Sequence, residues 1–212
     1  MKKIAVLISG QGSNLQTLID ACQTGQIPAK ISCVISNKAE AYGLIRAKSA
    51  GIFSRVFLRA DFANNLEMDN AIGDELEKQG VDLIVLAGYM KILTPEFTSR
   101  FAGKILNIHP SLLPKYPGLH TYQRALEAGD TEHGTTVHFV NEEVDGGAIV
   151  LQAKVPIFPQ DNIEDIEART REQVYRIYPM VVKWFVEDRL ILKNGIAYLD
   201  GNPLPAQGYA SE

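Results

Sequence analysis

Asn107 and His109 are two residues apart at the end of the apolar run over 105–108. Strand side chains alternate between faces, so the amide and the imidazole share one space while Ile108 points the other way. Two N–H donors aimed together can stabilise a developing oxyanion. The alternative is a histidine satisfied by backbone beside an amide that holds the following loop. Ser111 follows closely, but Pro110 and Pro114 flank it and no Gly-x-Ser-x-Gly elbow surrounds it, so it reads as a loop residue. Asp145 opens Asp145-Gly146-Gly147, which on its residues alone reads as a turn.

A second candidate is Gly10-Gln11-Gly12-Ser13-Asn14-Leu15, between a strand-like run and a helix-like stretch. Helix-start amides favour an anion, and phosphate is the obvious one. A tight turn with Ser13 as helix cap is the competing reading. A dinucleotide fingerprint would need glycine where Leu15 stands and an acid where Ser36-Asn37-Lys38 stands, and no Gly-Lys-Ser/Thr completes a Walker loop. Cys22 and Cys33 are the only cysteines, without Cys-x-x-Cys or His-Glu-x-x-His, so neither a disulfide nor a metal is expected. Lys plus Arg number 21 and Asp plus Glu 25, a formal charge of −4 that disfavours a broad nucleic-acid footprint. No apolar run approaches the ~18 residues of a membrane span, so a cytoplasmic protein that does not engage a membrane is expected.

The elements that must position these residues alternate between β and α. Residues 4–8, 31–35, 81–87 and 105–108 read as strands, with a shorter one near 55–58. Three are almost continuously apolar, as in parallel strands covered on both faces. The stretches from Ser13, Tyr42, Asn65 and Pro95 supply crossover helices, with Thr94 as cap and Pro95 as first residue of the last. The pattern predicts an α/β fold with one doubly wound, mostly parallel sheet whose carboxyl strand ends carry both candidate sites. Pro110, Pro114, Pro117 and Gly118 exclude a long helix and predict an ordered irregular loop. Residues 135–140 and 148–155 read as an antiparallel strand addition in the second half. Residues 163–187 form the longest helix, with Ile166, Val174, Ile177, Val181 and Phe185 on one face and Pro179 expected to bend or interrupt it. The tail from Asn194 reads as short strand and coil. No repeat or linker divides the chain, which predicts one domain over 1–212.

Asn107-Ile108-His109-Pro110-Ser111-Leu112-Leu113-Pro114-Lys115-Tyr116-Pro117-Gly118 resembles the central motif of the folate-dependent formyltransferases. Gly134-Thr135-Thr136-Val137-His138-Phe139-Val140-Asn141-Glu142-Glu143-Val144-Asp145-Gly146-Gly147 resembles that family's second signature, with its Asp in place. The glycine loop from Ser9, Leu86-Ala87-Gly88-Tyr89-Met90 and Leu204-Pro205-Ala206-Gln207-Gly208-Tyr209 extend the likeness over essentially the whole chain, toward members that formylate a ribonucleotide. The resemblance implies a Rossmann-like formyltransferase fold, with about 1–108 as the phosphate-binding half and about 109–212 as the catalytic-loop and folate-binding half. It also implies transfer of a formyl group from 10-formyltetrahydrofolate to the glycyl amine of glycinamide ribonucleotide, a step of de novo purine synthesis, by a monomer or weak homodimer.

By motif, the resemblance makes Asn107, His109 and Asp145 the catalytic set. In such a reaction the amine attacks directly, Asn107 and protonated His109 donate to the oxyanion, and an ionised Asp145 favours the charged imidazole and assists proton transfer. His138 is implied close to the trio, His120 is a second supporting candidate on its loop, and His133 is given no role. Gly12, Ser13 and Asn14 correspond to the phosphate cradle, with Arg171 as a further phosphate contact. Met90, Lys91, Ile92, Leu93, Val140, Asn141, Glu142 and Val144 correspond to the folate-pocket walls, which grip largely through backbone.

Four positions depart from the family pattern. Lys91 stands where relatives often carry Arg and so lacks the planar fork that grips a carboxylate. Asn65 stands where a basic residue is common, and Arg171 and Val174 where a Gln or Lys and a Glu are common. Val174 cannot accept from ribose hydroxyls, and Glu172 is about 200° away around a helix. The same core motifs occur in methionyl-tRNA formyltransferase and formyltetrahydrofolate hydrolase, each of which carries an extra domain not expected here. Among non-enzymes, a folate or ribonucleotide binding module is the competing class, and Val174 is the feature that favours it.

Overall fold

Apolar side chains on both faces of the central strands require cover on both sides, and two separate cores supply it. The computed structural model describes residues 1–209, and the last three positions of the expected 1–212 domain lie outside the described residues. β1 (Lys2–Ile8), β2 (Ala29–Ser36), β3 (Ser54–Val56), β4 (Leu83–Leu86) and β5 (Ile105–His109) run parallel. β6 (Glu132–Phe139) adds antiparallel to β5, and β7 (Ile149–Pro156) antiparallel to β6, giving the order β3-β2-β1-β4-β5-β6-β7. Helices α1 (Ser13–Gln23), α2 (Gly43–Ser49), α3 (Asn65–Lys78), α4 (Pro95–Arg100), α5 (Thr121–Glu127) and α6 (Ile163–Val186) complete the main body.

On one face Ile4, Val6, Ile8, Leu83, Val85 and Leu106 pack with α1, α2 and α6. On the other Ala5, Leu7, Ile84, Leu86 and Ile105 pack with Met68, Ile72 and Leu76 of α3, Phe97 of α4 and Phe101 just after it. The Tyr178 hydroxyl of α6 donates to Leu86 O at 2.7 Å and lies 3.1 Å from Leu106 O, tying the helix to the carboxyl end of β4 and to the start of β5. Asn64 caps α3, Thr94 caps α4 with Pro95 inside its first turn, and Asn162 with Asp165 forms a capping box on α6. Each such cap stabilises by about 1 kcal/mol.

One expectation needs correction. Pro179 does not interrupt α6, which runs 24 residues with Pro179 on its buried side. The tail from Asn194 holds short strands, as expected, β9 (Ile196–Leu199) and β10 (Asn202–Pro203), which join β8 (Leu190–Lys193) in a small antiparallel sheet. α5 lies in a stretch for which the sequence suggested no element, because its seven residues are too few to show a period. Cys22 and Cys33 are free thiols, both pushed up to about 11 by burial. Among the described residues no helix is long and apolar enough to cross a membrane.

Candidate active site

Strand order reverses beside β1, with β2 on one side and β4 on the other, and open α/β sheets place ligands beyond the carboxyl ends at such a point. The loop after β1 is shaped by backbone. Gly12 has φ 72°, and a Cβ there would lie 2.8 Å from Gly43 Cα. Gly43 N–H donates to Gly10 O at 3.0 Å, and Arg46 Nε to Gln11 O at 2.8 Å. Ser13 is not a cap: Gly12 holds that position in the left-handed region, and no side chain caps α1. The helix start therefore offers amides, in keeping with anion binding. Ser9 Oγ donates to Asn37 Oδ1 at 2.6 Å and accepts the Met90 N–H at 2.7 Å, joining this loop to the one after β4.

The imidazole cluster is shaped by strand register. Leu106 and Ile108 face the α1/α6 core, so Asn107 and His109 face the other side. Asn107 is opposite His138 and His109 opposite Thr136 across the β5–β6 ladder. Asp145, in the β6–β7 connection with φ 54°, reaches the same place. Its Oδ1 is 3.5 Å from His109 Nδ1 and 3.9 Å from His138 Nε2, and its Oδ2 accepts the Gly118 N–H at 2.8 Å. Gly147 is required in this turn, because a Cβ would strike Phe139 O.

Partner chemistry assigns the ring protons. His138 Nδ1 is 2.9 Å from Phe139 O, which only accepts, so the proton sits on Nδ1 and Nε2 can accept from Asn107 Nδ2 at 3.4 Å. Burial lowers the His138 pKa and keeps the ring neutral. His109 Nε2 is 2.8 Å from Tyr116 O, and its Nδ1 faces the Asp145 carboxylate. Both neighbours are acceptors, so each ring nitrogen faces a hydrogen-bond acceptor of the protein.

The loop after β5 is held by side chains that the sequence did not single out. His133 Nε2 donates to Pro110 O at 2.7 Å, and Thr121 Oγ1 donates to the same oxygen at 2.5 Å. The His133 ring packs on Tyr122, with centroids 5.1 Å apart. Thr135 Oγ1 donates to His109 O and Thr136 Oγ1 to Ser111 O, while Gln152 Nε2 reaches Leu113 O. Tyr116, whose carbonyl meets His109, has its hydroxyl on Asp130 Oδ2 at 2.5 Å. His133 therefore has a loop-holding position where none was expected. Gln152, a lone amide in an apolar strand, was the available signal.

The remaining predicted residues separate. Met90 and Ile92 are 67% and 70% exposed, whereas the Lys91 side chain is 10% exposed and Leu93 is 8%. Val144 is half exposed, Val140 packs against the α3/α4 core, Asn141 Oδ1 accepts the Glu143 N–H, and Glu142 is exposed. Tyr89, next to this loop, has a buried hydroxyl without a hydrogen-bond partner, and burial and the Asp69 charge push its pKa up. Arg171 lies exposed on α6, bonded to Glu167 Oε1 at 3.1 Å, and no hydrogen bond joins it to the glycine loop. Val174 is buried, and His120 is exposed at the start of α5. Among the described residues no cluster of three or more His, Cys, Asp or Glu is arranged to hold a metal.

Comparison with known proteins adds to this geometry. The family described as formyl transferase matches residues 2–182. The phosphoribosylglycinamide formyltransferase of Haemophilus influenzae is 78% identical over 212 residues, all of both chains. That of Escherichia coli is 53% identical over 209 residues, 99% of each. A solved phosphoribosylglycinamide formyltransferase from Coxiella burnetii, in complex with CHES, superposes with a TM-score of 0.95 at 43% identity and covers 98% of each chain.

Proposed function

Because the chain belongs to the formyl transferase family, we propose that it is a phosphoribosylglycinamide formyltransferase, moving the formyl group of 10-formyltetrahydrofolate to the glycyl amine of glycinamide ribonucleotide. The observation that carries the catalytic reading is the convergence of Asn107, His109 and Asp145 at one strand end, with His138 behind them. Neutral His138 takes one Asn107 N–H and leaves the other for an oxyanion. His109 becomes a second donor beside it when its Nε2 leaves Tyr116 O, which it meets at 2.8 Å, and Asp145, on Nδ1, sets the ring's orientation and takes part in moving the amine's proton. Donors fixed before the reaction stabilise charge that develops only in the transition state, and one such donor is worth roughly 10²–10³ in rate.

The amides of Gly12, Ser13 and Asn14 are the reading for the ribonucleotide phosphate, supported by the uncapped start of α1. The exposed side chains of Met90, Ile92 and Val144 suit a flat heteroaromatic ring, which supports a folate donor at 90–93 and 140–144. Arg171 as a phosphate contact would require its release from Glu167.

The test is a spectrophotometric assay with 10-formyltetrahydrofolate, run with and without glycinamide ribonucleotide. Tetrahydrofolate released only when the ribonucleotide is present supports the transferase. Release without it would favour a hydrolase, and no turnover by folded protein would favour a binding module.

A further inference from the structure

Asp69 lies on α3 with no exposed surface, and both its oxygens are engaged by one loop. Oδ1 takes Lys91 Nζ at 2.5 Å, and Oδ2 takes the Thr94 backbone N–H at 2.8 Å. Lys91 Nζ also lies 3.4 Å from Ile92 O. The segment is thus pinned at Met90 by Ser9, at Lys91 and Thr94 by Asp69, and at Leu93 by the α3/α4 core. Its side chains alternate accordingly, with Met90 and Ile92 outward and Lys91 and Leu93 inward.

This arrangement bears on where the Lys91 charge is used. Swinging the ammonium out to a substrate carboxylate would leave Asp69 buried with a single backbone N–H, and stranding one member of a buried ion pair is strongly unfavourable. We propose that Asp69 and Lys91 are a positioning pair that shapes the 90–93 wall, and that Lys91 is an internal counterion, not a ligand for the folate's glutamate tail. The proposal rests on the reading of 90–93 as part of the folate site. Specificity for tail length then has no contribution from the Lys91 charge.

The experiment compares wild type, Asp69→Asn, Lys91→Met, the double variant and Lys91→Arg. The donors are 10-formyltetrahydrofolate with one glutamate, with five, and 10-formyltetrahydropteroate, which has none. Both single variants are expected to raise KM about tenfold for all three donors alike, with the ribonucleotide KM within about twofold of wild type. The double variant is expected to be no worse than either single one, as for two residues acting as a unit, and Lys91→Arg to stay within about threefold of wild type. Selective loss with the glutamate-bearing donors in Lys91→Met would make Lys91 a tail ligand and overturn the proposal, as would unchanged kinetics in Asp69→Asn.

Hydrogen exchange of the amides at 90–94 separates failure of the pair from failure of the folate reading. Exchange there should speed about tenfold in both single variants while β1 and β4 stay protected. If wild type turns over none of the donors, the folate reading fails on its own. Faster exchange would still support the pair's structural half, and unchanged exchange would reject it.

Discussion

The glycine loop and the imidazole cluster sit at the same edge of one sheet, but one is shaped by backbone and the other by buried side chains. At the first, a Cβ on Gly12 would lie 2.8 Å from Gly43 Cα, one on Gly43 would meet the Ile8 side chain, and the turn is closed by main-chain bonds. At the second, His109, Ser111, Thr121, His133, Thr135, Thr136 and His138 are all buried, and the polar atoms of all but His138, which bonds Phe139 O and Asn107, hold the loop after β5. Backbone amides suit a group that is only held, since they have no protonation state to tune. Side chains suit a group whose charge changes during reaction. The difference predicts that damage to the first region appears in substrate affinity, and damage to the second in turnover and in the response to pH.

The largest expected effect is His109→Ala, which should lower kcat by about 10³-fold or more while ribonucleotide binding persists by calorimetry. Equal loss of binding or of folding would make His109 structural and erase the contrast. Gly12→Ala should act the other way, raising the ribonucleotide KM by about 10–100-fold with kcat little changed, because the new Cβ forces the turn off its left-handed conformation. A kcat loss with unchanged KM would show that the glycine loop governs chemistry.

The same contrast explains what was legible in the amino-acid order. Apolar runs over 4–8, 31–35, 81–87 and 105–108 specify strands covered on both faces, and β1, β2, β4 and β5 lie there because burial selects that pattern directly. The Asn107/His109 face was legible from strand alternation alone. Asp145 was not, since Asp-Gly-Gly makes a turn with or without an imidazole 3.5 Å away, and only the motif resemblance singled it out. His133, Thr135, Thr136 and Asp130 were missed because their roles depend on carbonyls brought near by the fold, and no spacing rule encodes that. Asp69 looks like a surface position on an amphipathic helix until Lys91 folds in to meet it.

A smaller effect sharpens the comparison through pH. Burial holds the His138 and His133 pKa values below that of a free histidine, near 6.5. Between the folded and unfolded values the unfolded chain binds more protons, so stability is complete above about pH 6.5 and falls as pH drops, by at most about 1.4 kcal/mol per unit per histidine. Thermal melts between pH 5 and 7.5 should show that slope, and His138→Gln should flatten it. Gly12→Ala should lower the melting temperature equally at every pH in the range. If the slope survives both His138→Gln and His133→Gln, the buried imidazoles are not its source.

The smallest expected effect is at Val174 of α6. This side chain is 9% exposed on α6 and has no polar atom, at a position where the motif resemblance implies a carboxylate that accepts from ribose hydroxyls. Val174→Glu would introduce an acceptor whose hydrogen bonds are worth about 0.5–1.5 kcal/mol each, so the ribonucleotide KM should fall by about threefold to tenfold. Burying the carboxylate works against this, and the melting temperature should drop by a few degrees at neutral pH. The two readouts move in opposite senses only if position 174 borders the ribonucleotide. A drop in melting temperature with unchanged KM would place ribose recognition on other residues and confine substrate holding to the backbone of the glycine loop.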